Sequence, residues 1–94
     1  MRRGTTAKLT FTSDFDWADY TLQLTLEENE IELVFTEDRL TVNQGIVEVT
    51  LTQEETLKFN KKVQAQIKAK LGNSVIATDI ASIPVLPILN EEVM

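Results

Sequence analysis

The chain has 94 residues, of which 43% are hydrophobic and 26% charged, and its net charge is −6. This composition is typical of one small globular domain and not of a disordered chain. Cysteine and histidine are both absent, which excludes disulfides, thiolate metal sites, and the commonest catalytic base and zinc ligand.

The first half of the chain predicts five strands, because apolar and polar residues alternate in five short runs. The apolar positions are Ala7, Leu9 and Phe11, then Tyr20, Leu22, Leu24 and Leu26, then Ile31, Leu33 and Phe35, then Leu40 and Val42, then Val47, Val49 and Leu51. Residues 13–19 mix turn formers with aromatic residues and predict a loop or a short helical turn that caps one end of the fold. Turns are expected at Glu28-Asn29 and at Asn43-Gln44-Gly45, where Asn29 and Gly45 suit a positive φ.

The stretch from Val47 to Phe59 joins two kinds of local order. Strand alternation stops at Thr52, and Glu55 follows three residues later, which is the spacing of a capping box. The pattern predicts one short helical turn near residues 52–58 that carries the chain from one sheet to the other. Leu57 and Phe59 are then expected to fold back and fill one end of the core.

The second half predicts two further strands that form a hairpin. Apolar residues alternate with Lys and Gln from Val63 to Leu71, and Gly72-Asn73 predicts a two-residue turn. The last strand runs from Val75 to Val85, with a change of register near Thr78-Asp79 that predicts a bulge. Pro84 has no N–H to donate, so the end of this strand belongs at a sheet edge or outside the sheet.

About seven short strands joined by turns predict an all-β fold, an immunoglobulin-like antiparallel β-sandwich with one short helical turn. Residues 1–94 form a single domain in this prediction. Residues 1–4 are expected to be a flexible N-terminus, and residues 84–94 a C-terminal tail. Two paths remain open for the tail, which either packs on its own subunit or reaches a neighbouring one.

The sequence predicts no catalytic residue, no cofactor site and no metal site. Asp14, Asp16 and Asp19 are spaced suitably for calcium, but three carboxylates supply too few ligands, so they predict a turn. Nucleic acid is not an expected partner of so acidic a chain, because that binding depends on Lys and Arg that neutralise phosphates. The basic residues of the second half are expected to lie on a solvated strand face: Lys58, Lys61, Lys62, Lys68 and Lys70.

Several stretches resemble a family of small prophage-encoded proteins of Gram-positive bacteria, about 90–100 residues long and without an established activity. The resemblance rests on residues 3–6 and 9–12, on Asp14-Phe15-Asp16, on residues 49–59, 63–68 and 75–80, and on Glu91-Glu92-Val93. The run 51–59, with the sequence LTQEETLKF, is the most specific of them. The resemblance implies a phage origin and an accessory role in the virion near the tail or baseplate. Synthesis in the host cytoplasm is expected separately, because no secretory signal or apolar run long enough to cross a membrane is seen in the sequence.

Two functions are therefore expected as alternatives, and neither is enzymatic. The first is a phage structural or accessory protein that packs against copies of itself or other phage proteins, with no membrane partner. The edge expected to pair is that of the proline-bearing last strand or that of the first strand. Its expected contact residues are Phe15, Trp17, Pro84, Pro87, Ile88 and Leu89. The second is a carbohydrate or host-surface binding module that uses the Phe15/Trp17 loop. In the competing interpretation Trp17 is buried and covers the open end of the sandwich.

Overall fold

A computed structural model describes all residues from Met1 to Met94 and consists of two antiparallel sheets and one short helix. The elements are β1 (Ala7–Thr12), β2 (Thr21–Glu28), β3 (Ile31–Phe35), β4 (Leu40–Asn43), β5 (Ile46–Leu51), α1 (Gln53–Leu57), β6 (Lys62–Leu71), β7 (Ser74–Ala77) and β8 (Ala81–Pro84). One sheet has the order β1-β5-β4. The other has the order β3-β2-β6, with β7 and β8 both paired to the free side of β6. The prediction of an all-β sandwich is confirmed.

The last predicted strand is in fact two strands, which raises the count from about seven to eight. Lys68 pairs with Ala77 and Ala65 with Ala81, so the chain advances four residues from β7 to β8 while β6 advances three. One extra residue therefore lies between β7 and β8. This is the bulge predicted near Thr78-Asp79, and it reverses which alternate residues face the core.

The core lies between the sheets and is built from the residues that alternate along each strand. Its 15 members form one cluster: Trp17, Leu22, Leu24, Leu26, Phe35, Leu40, Val47, Val49, Leu51, Phe59, Val63, Ala65, Ile67, Ala69 and Val85. The period of two places these side chains on the inner face of each sheet and the polar ones outside. Burial of each Leu or Val side chain contributes about 1.5–3 kcal/mol.

The crossover between the sheets begins with the predicted capping box. The Thr52 side chain accepts from the Glu55 amide at 3.2 Å, and the Glu55 carboxylate accepts from the Thr52 amide at 2.8 Å. The same carboxylate pairs with Arg39 at 2.7 Å, and Arg39 also donates to the Thr50 carbonyl at 3.0 Å. Glu55 therefore fixes the start of the helix to the segment that precedes β4.

Of the two side chains expected to fill the core after the helix, Phe59 does so and Leu57 does not. Phe59 is fully buried, whereas Leu57 is half-buried and lies 3.2 Å from where a Cβ on Gly4 would stand. Thr56 is the buried residue of the helix, because it lies three residues before Phe59 and residues three apart share a helix face. Its hydroxyl donates to the carbonyls of Thr5 and Gln53.

The predicted turns form, but in one of them a different residue from the expected one has the positive φ. Asn29 has the expected positive φ of 56°. In the β4–β5 turn the positive φ belongs to Gln44, at 53°, and not to Gly45. Gly45 is required for space, since a Cβ there would stand 2.0 Å from the Ser13 carbonyl oxygen. The loop after β1 passes directly over this turn.

Glu28, at the end of β2, binds the backbone that leads into β6. Its carboxylate accepts from the amides of Asn60, Lys61 and Lys62. Desolvation raises the pKa of Glu28, but the three amide hydrogen bonds and the charge of Lys61 outweigh it, so the pKa lies below its ordinary value of 4.5. For Glu55, desolvation is likewise outweighed by Arg39 and the Thr52 hydrogen bonds, and its pKa is also lowered.

Replacing Thr52 by alanine is expected to lower the free energy of unfolding by about 1 kcal/mol, because the Glu55 amide loses its capping acceptor. Urea unfolding at neutral pH measures the loss. Thr6→Ala is the matched control, since Thr6 is exposed and its side chain makes no hydrogen bond. An equal loss in both variants would contradict the capping role.

Glu28→Gln is expected to weaken the pH dependence of stability. A carboxylate whose folded pKa is lowered adds stability above the unfolded value of 4.5, and this stability is lost as pH falls through the folded pKa. Urea unfolding between about pH 6 and pH 3 should therefore show a shallower loss in this variant than in the parent chain. Glu30→Gln is the control, because Glu30 is exposed in the same turn and makes no hydrogen bond. Identical pH profiles for the parent and Glu28→Gln would refute the assignment.

Candidate protein-interaction edge

The free side of β7 is the most exposed apolar strand edge of the molecule. All four residues of β7 are exposed, and none is charged. Four large apolar side chains of this region are open to solvent, namely Leu71 (46%), Val75 (55%), Ile76 (39%) and Ile80 (60%). We call the segment from Leu71 to Ile80 the β7 edge.

The local sequence determines where this edge begins. β6 and β7 are joined by Gly72-Asn73, and Gly72 has a φ of 59°. This left-handed backbone suits glycine and matches the turn that closes a two-residue hairpin. The turn pairs Leu71 with Ser74 and fixes the register of the whole of β7.

β7 ends at Thr78, whose hydroxyl takes the place of a backbone carbonyl in the hydrogen-bond ladder with β6. Its amide donates to the Ile67 carbonyl at 2.9 Å, while its hydroxyl accepts from the Ile67 amide at 3.1 Å. The Gln66 side chain donates to the Thr78 carbonyl at 2.9 Å. Asp79 and Ile80 then leave the ladder before β8 resumes pairing.

The backbone of β7 presents unpaired groups to solvent. In a two-residue hairpin the pair beside the turn is hydrogen-bonded, and bonded and non-bonded pairs then alternate. Leu71–Ser74 and Ala69–Ile76 are therefore the bonded pairs. The N–H and C=O groups of Val75 and Ala77 point away from β6, and no strand pairs with them. Such a row is a template for strand addition.

The strands β3 and β1 carry charged residues that β7 lacks, and the exposed residues of β4 are polar. β3 includes Glu32 and follows Glu30, and charges of this kind discourage edge pairing. β1 exposes Lys8, which forms an ion pair with Glu48 at 3.3 Å. β4 has a half-buried Val42 and exposes only Thr41 and Asn43.

The N-terminal residues cover the far end of β8. The Met1 ammonium donates to the Pro84 carbonyl at 2.9 Å, the Leu86 amide donates to the Met1 carbonyl at 2.7 Å, and the Arg3 amide donates to the Leu86 carbonyl at 2.9 Å. Residues 1–4, predicted to be a flexible terminus, thus pair in parallel with the chain that follows β8. Pro84 lies on an edge strand, as its missing N–H requires.

The C-terminal tail folds back onto its own subunit, which was one of the two predicted paths. The Arg2 side chain donates to the Pro87 carbonyl at 2.7 Å, and Arg3 pairs with Glu91. Met94 and the Gln53 side chain exchange two hydrogen bonds. The tail borders a groove of about 860 Å³ that includes Pro87, Ile88 and Leu89. Leu89 is the most exposed side chain there, at 106%.

The aromatic loop after β1 is a packed cluster, with its tryptophan inside. Trp17 is 4% exposed, and its ring centroid lies 4.8 Å from that of Phe15 and 6.3 Å from that of Tyr20. The Trp17 amide donates to the Gln44 carbonyl, but its indole Nε1 is buried without a partner. The interpretation that Trp17 covers the open end is confirmed. Phe15, at 40%, is the member that remains exposed.

The structure does not bring the six predicted contact residues together. Phe15 and Trp17 lie beside the turn that opens β5, whereas Pro87, Ile88 and Leu89 lie near the helix that follows β5. Six strand residues, or about 20 Å, separate these two ends. The sequence predicts pairing through the last strand or the first strand, but none of the six contact residues lies on β7, where residues 71–78 contain no charge.

Asp79 is the one charged residue within the β7 edge, and the charged residues beside it are lysines on the outer face of β6. Lys68 and Lys70 are exposed and pair with Ala77 and Val75. Of the five lysines expected on a solvated strand face, these two and Lys62 lie on β6, while Lys58 and Lys61 precede it. Lys70 and Val75 border a groove of about 420 Å³ that also includes Glu37.

The structure contains no group of three His, Cys, Asp or Glu side chains that could hold a metal ion. Asp16 instead accepts from the Ala18 amide at 3.0 Å, which is a turn contact. The five-residue α1 is much too short to cross a membrane, and no other helix is present. Comparisons with models of protein families, with curated proteins and with solved structures found no match.

Trp17 fluorescence is expected to be blue-shifted and resistant to acrylamide quenching, because the only indole of the chain is buried in the core. Measurement in buffer and in urea compares the folded and unfolded emission of the same residue. Phe15→Ala should raise the quenching rate by uncovering the indole. Ile31→Ala is the control, since Ile31 is 39% exposed, close to the 40% of Phe15, and lies at the far end of β2 from the aromatic loop. Emission of the folded chain at the unfolded wavelength would contradict this packing.

Proposed function

We propose that this chain is a non-enzymatic structural or accessory protein of a phage or prophage, and that it works by packing against other protein chains. Its place would be near the tail or baseplate of the virion. The partner surface is the β7 edge, with the exposed part of the C-terminal tail as a second contact. A protein of this kind needs a rigid sandwich and an open strand edge, and it does not need a catalytic centre.

The single observation that carries this proposal is the combination of free backbone groups and uncharged apolar side chains on β7. Val75 and Ala77 offer N–H and C=O groups, while Val75 and Ile76 expose apolar surface beside them. Strand addition uses main-chain hydrogen bonds for affinity and alternate side chains for specificity. A strand edge with free backbone groups and exposed apolar side chains favours a protein partner that contributes an extended segment.

The ionisable groups support a role without catalysis. Perturbed pKa values often mark active sites, but they also arise from structural ion pairs. The three clear shifts here belong to Glu28, Arg39 and Glu55. Glu28 binds the backbone before β6, and the Glu55–Arg39 pair holds the crossover. Each shift is explained by contacts within the fold.

The phage assignment rests on the sequence resemblance, chiefly on residues 51–59. In the structure this run forms the end of β5, the capped helix and the buried Phe59. It therefore carries the crossover on which the sandwich depends. A family sharing the run would share this crossover. Residues 75–80, which also carry the resemblance, lie in the β7 edge.

Particles released after prophage induction test the proposed function directly. We expect peptides of this chain in purified virions at a constant ratio to tail proteins, as measured by quantitative mass spectrometry. Val75→Lys should reduce incorporation, because it places a charge on the β7 edge. Val34→Lys is the matched control, since Val34 is similarly exposed, at 45%, on β3. Detection only at the level of carried-over host proteins would overturn the proposal.

A further inference from the structure

We infer that the β7 edge binds the β7 edge of a second copy of this chain, in an antiparallel pair centred on Ile76. The inference rests on the proposed function and names the partner of its edge. It defines a two-fold dimer in which the five-stranded sheets of two copies become one continuous sheet.

The backbone of β7 is complementary to itself in this register. A two-fold axis at Ile76 places Val75 of one copy opposite Ala77 of the other, and the reverse. These are the residues whose N–H and C=O groups point away from β6, so each such pair exchanges two hydrogen bonds. Both pairs together satisfy every free backbone group of the two strands. If the register were shifted by one residue, backbone groups already bonded to β6 would lie opposite the free groups of the other copy.

The same register covers the exposed apolar side chains. The two Ile76 residues face each other across the axis as a non-hydrogen-bonded pair, the closer kind, with Cα atoms about 4.5 Å apart. On the outer face of the sheet, Val75 of each copy lies against Ala77 of the other. The register therefore covers the two apolar side chains of β7 that are most exposed, Val75 and Ile76.

Charge does not oppose this pairing. β7 carries no charged residue, and the Asp79 residues of the two copies lie three positions beyond Ile76 on opposite sides of the axis. The nearest lysines, Lys68 and Lys70, lie on β6. In the dimer the two β6 strands are three strand spacings apart, or about 14 Å. This exceeds the Debye length of about 8 Å at physiological salt, so repulsion between the lysines is largely screened.

The β7 edge of a second copy fits this edge better than the β3 or β1 edge of a second copy would. β3 would bring Glu30 and Glu32 to the contact, and β1 would bring Lys8. Neither set has an opposite charge on β7 to meet it. The contact involves four strand residues per copy and the side chains around them, which places it among weak, concentration-dependent interfaces.

Single-cysteine cross-linking tests this register, because the natural chain has no cysteine. In Ile76→Cys the two thiols should meet across the axis, since the expected Cα separation of about 4.5 Å lies within the range for disulfides. Ile31→Cys on β3 is the matched control, because Ile31 and Ile76 are both 39% exposed. With mild oxidant, we expect Ile76→Cys to form disulfide dimers at least about tenfold faster, since association raises the effective thiol concentration.

Addition of Val75→Lys to the Ile76→Cys chain should abolish this advantage, while Val34→Lys should leave it intact. Circular dichroism verifies that each variant is folded. Equal cross-linking rates for Ile76→Cys and Ile31→Cys would overturn the dimer. A monomer that still enters virions would refute this inference alone, and a dimer that never enters them would refute the proposed function alone.

Discussion

The connection between the two sheets depends on the contacts of the Glu55 carboxylate. It caps the helix through the Thr52 amide and pairs with Arg39, whose guanidinium also holds the Thr50 carbonyl and lies 5.0 Å from the centre of the Phe35 ring. One side chain thus ties together the end of β5, the start of the helix and the approach to β4. Because the capped turn redirects the chain, β6 begins in the opposite sheet and Phe59 is delivered to the core.

Much of this fold could be predicted from periodicity, since a half-buried strand must alternate. That rule located every strand of the first half, the β6–β7 hairpin and the bulge. It failed where space or helical geometry decides the outcome. Alternation favoured Leu57 as a core residue, but the helix turned Thr56 inward. The residue type of Gly45 predicts a positive φ, but the actual constraint at this position is the Ser13 carbonyl of a loop distant in sequence.

The candidate site was predictable only in part, for a related reason. Trp17 and Phe15 draw attention in a sequence because aromatic residues often bind partners, yet Trp17 is needed to close a core of 15 residues. The openness of β7 depends on which strands pair with β6 and which do not. Local patterns cannot supply that information, because sheet order is set by contacts between residues far apart in the chain.

The pairing of the two chain ends has a consequence for how the molecule folds. The Met1 ammonium and the Pro84 carbonyl are 83 residues apart in sequence and 2.9 Å apart in space, so this contact closes a loop that includes nearly the whole chain. Loop-closure entropy grows with loop length and must be offset by contacts already formed. The hairpins and the capped crossover, whose contacts are local, provide that base. The terminal pairing is therefore expected to form late in folding, after these local contacts have brought the two ends together.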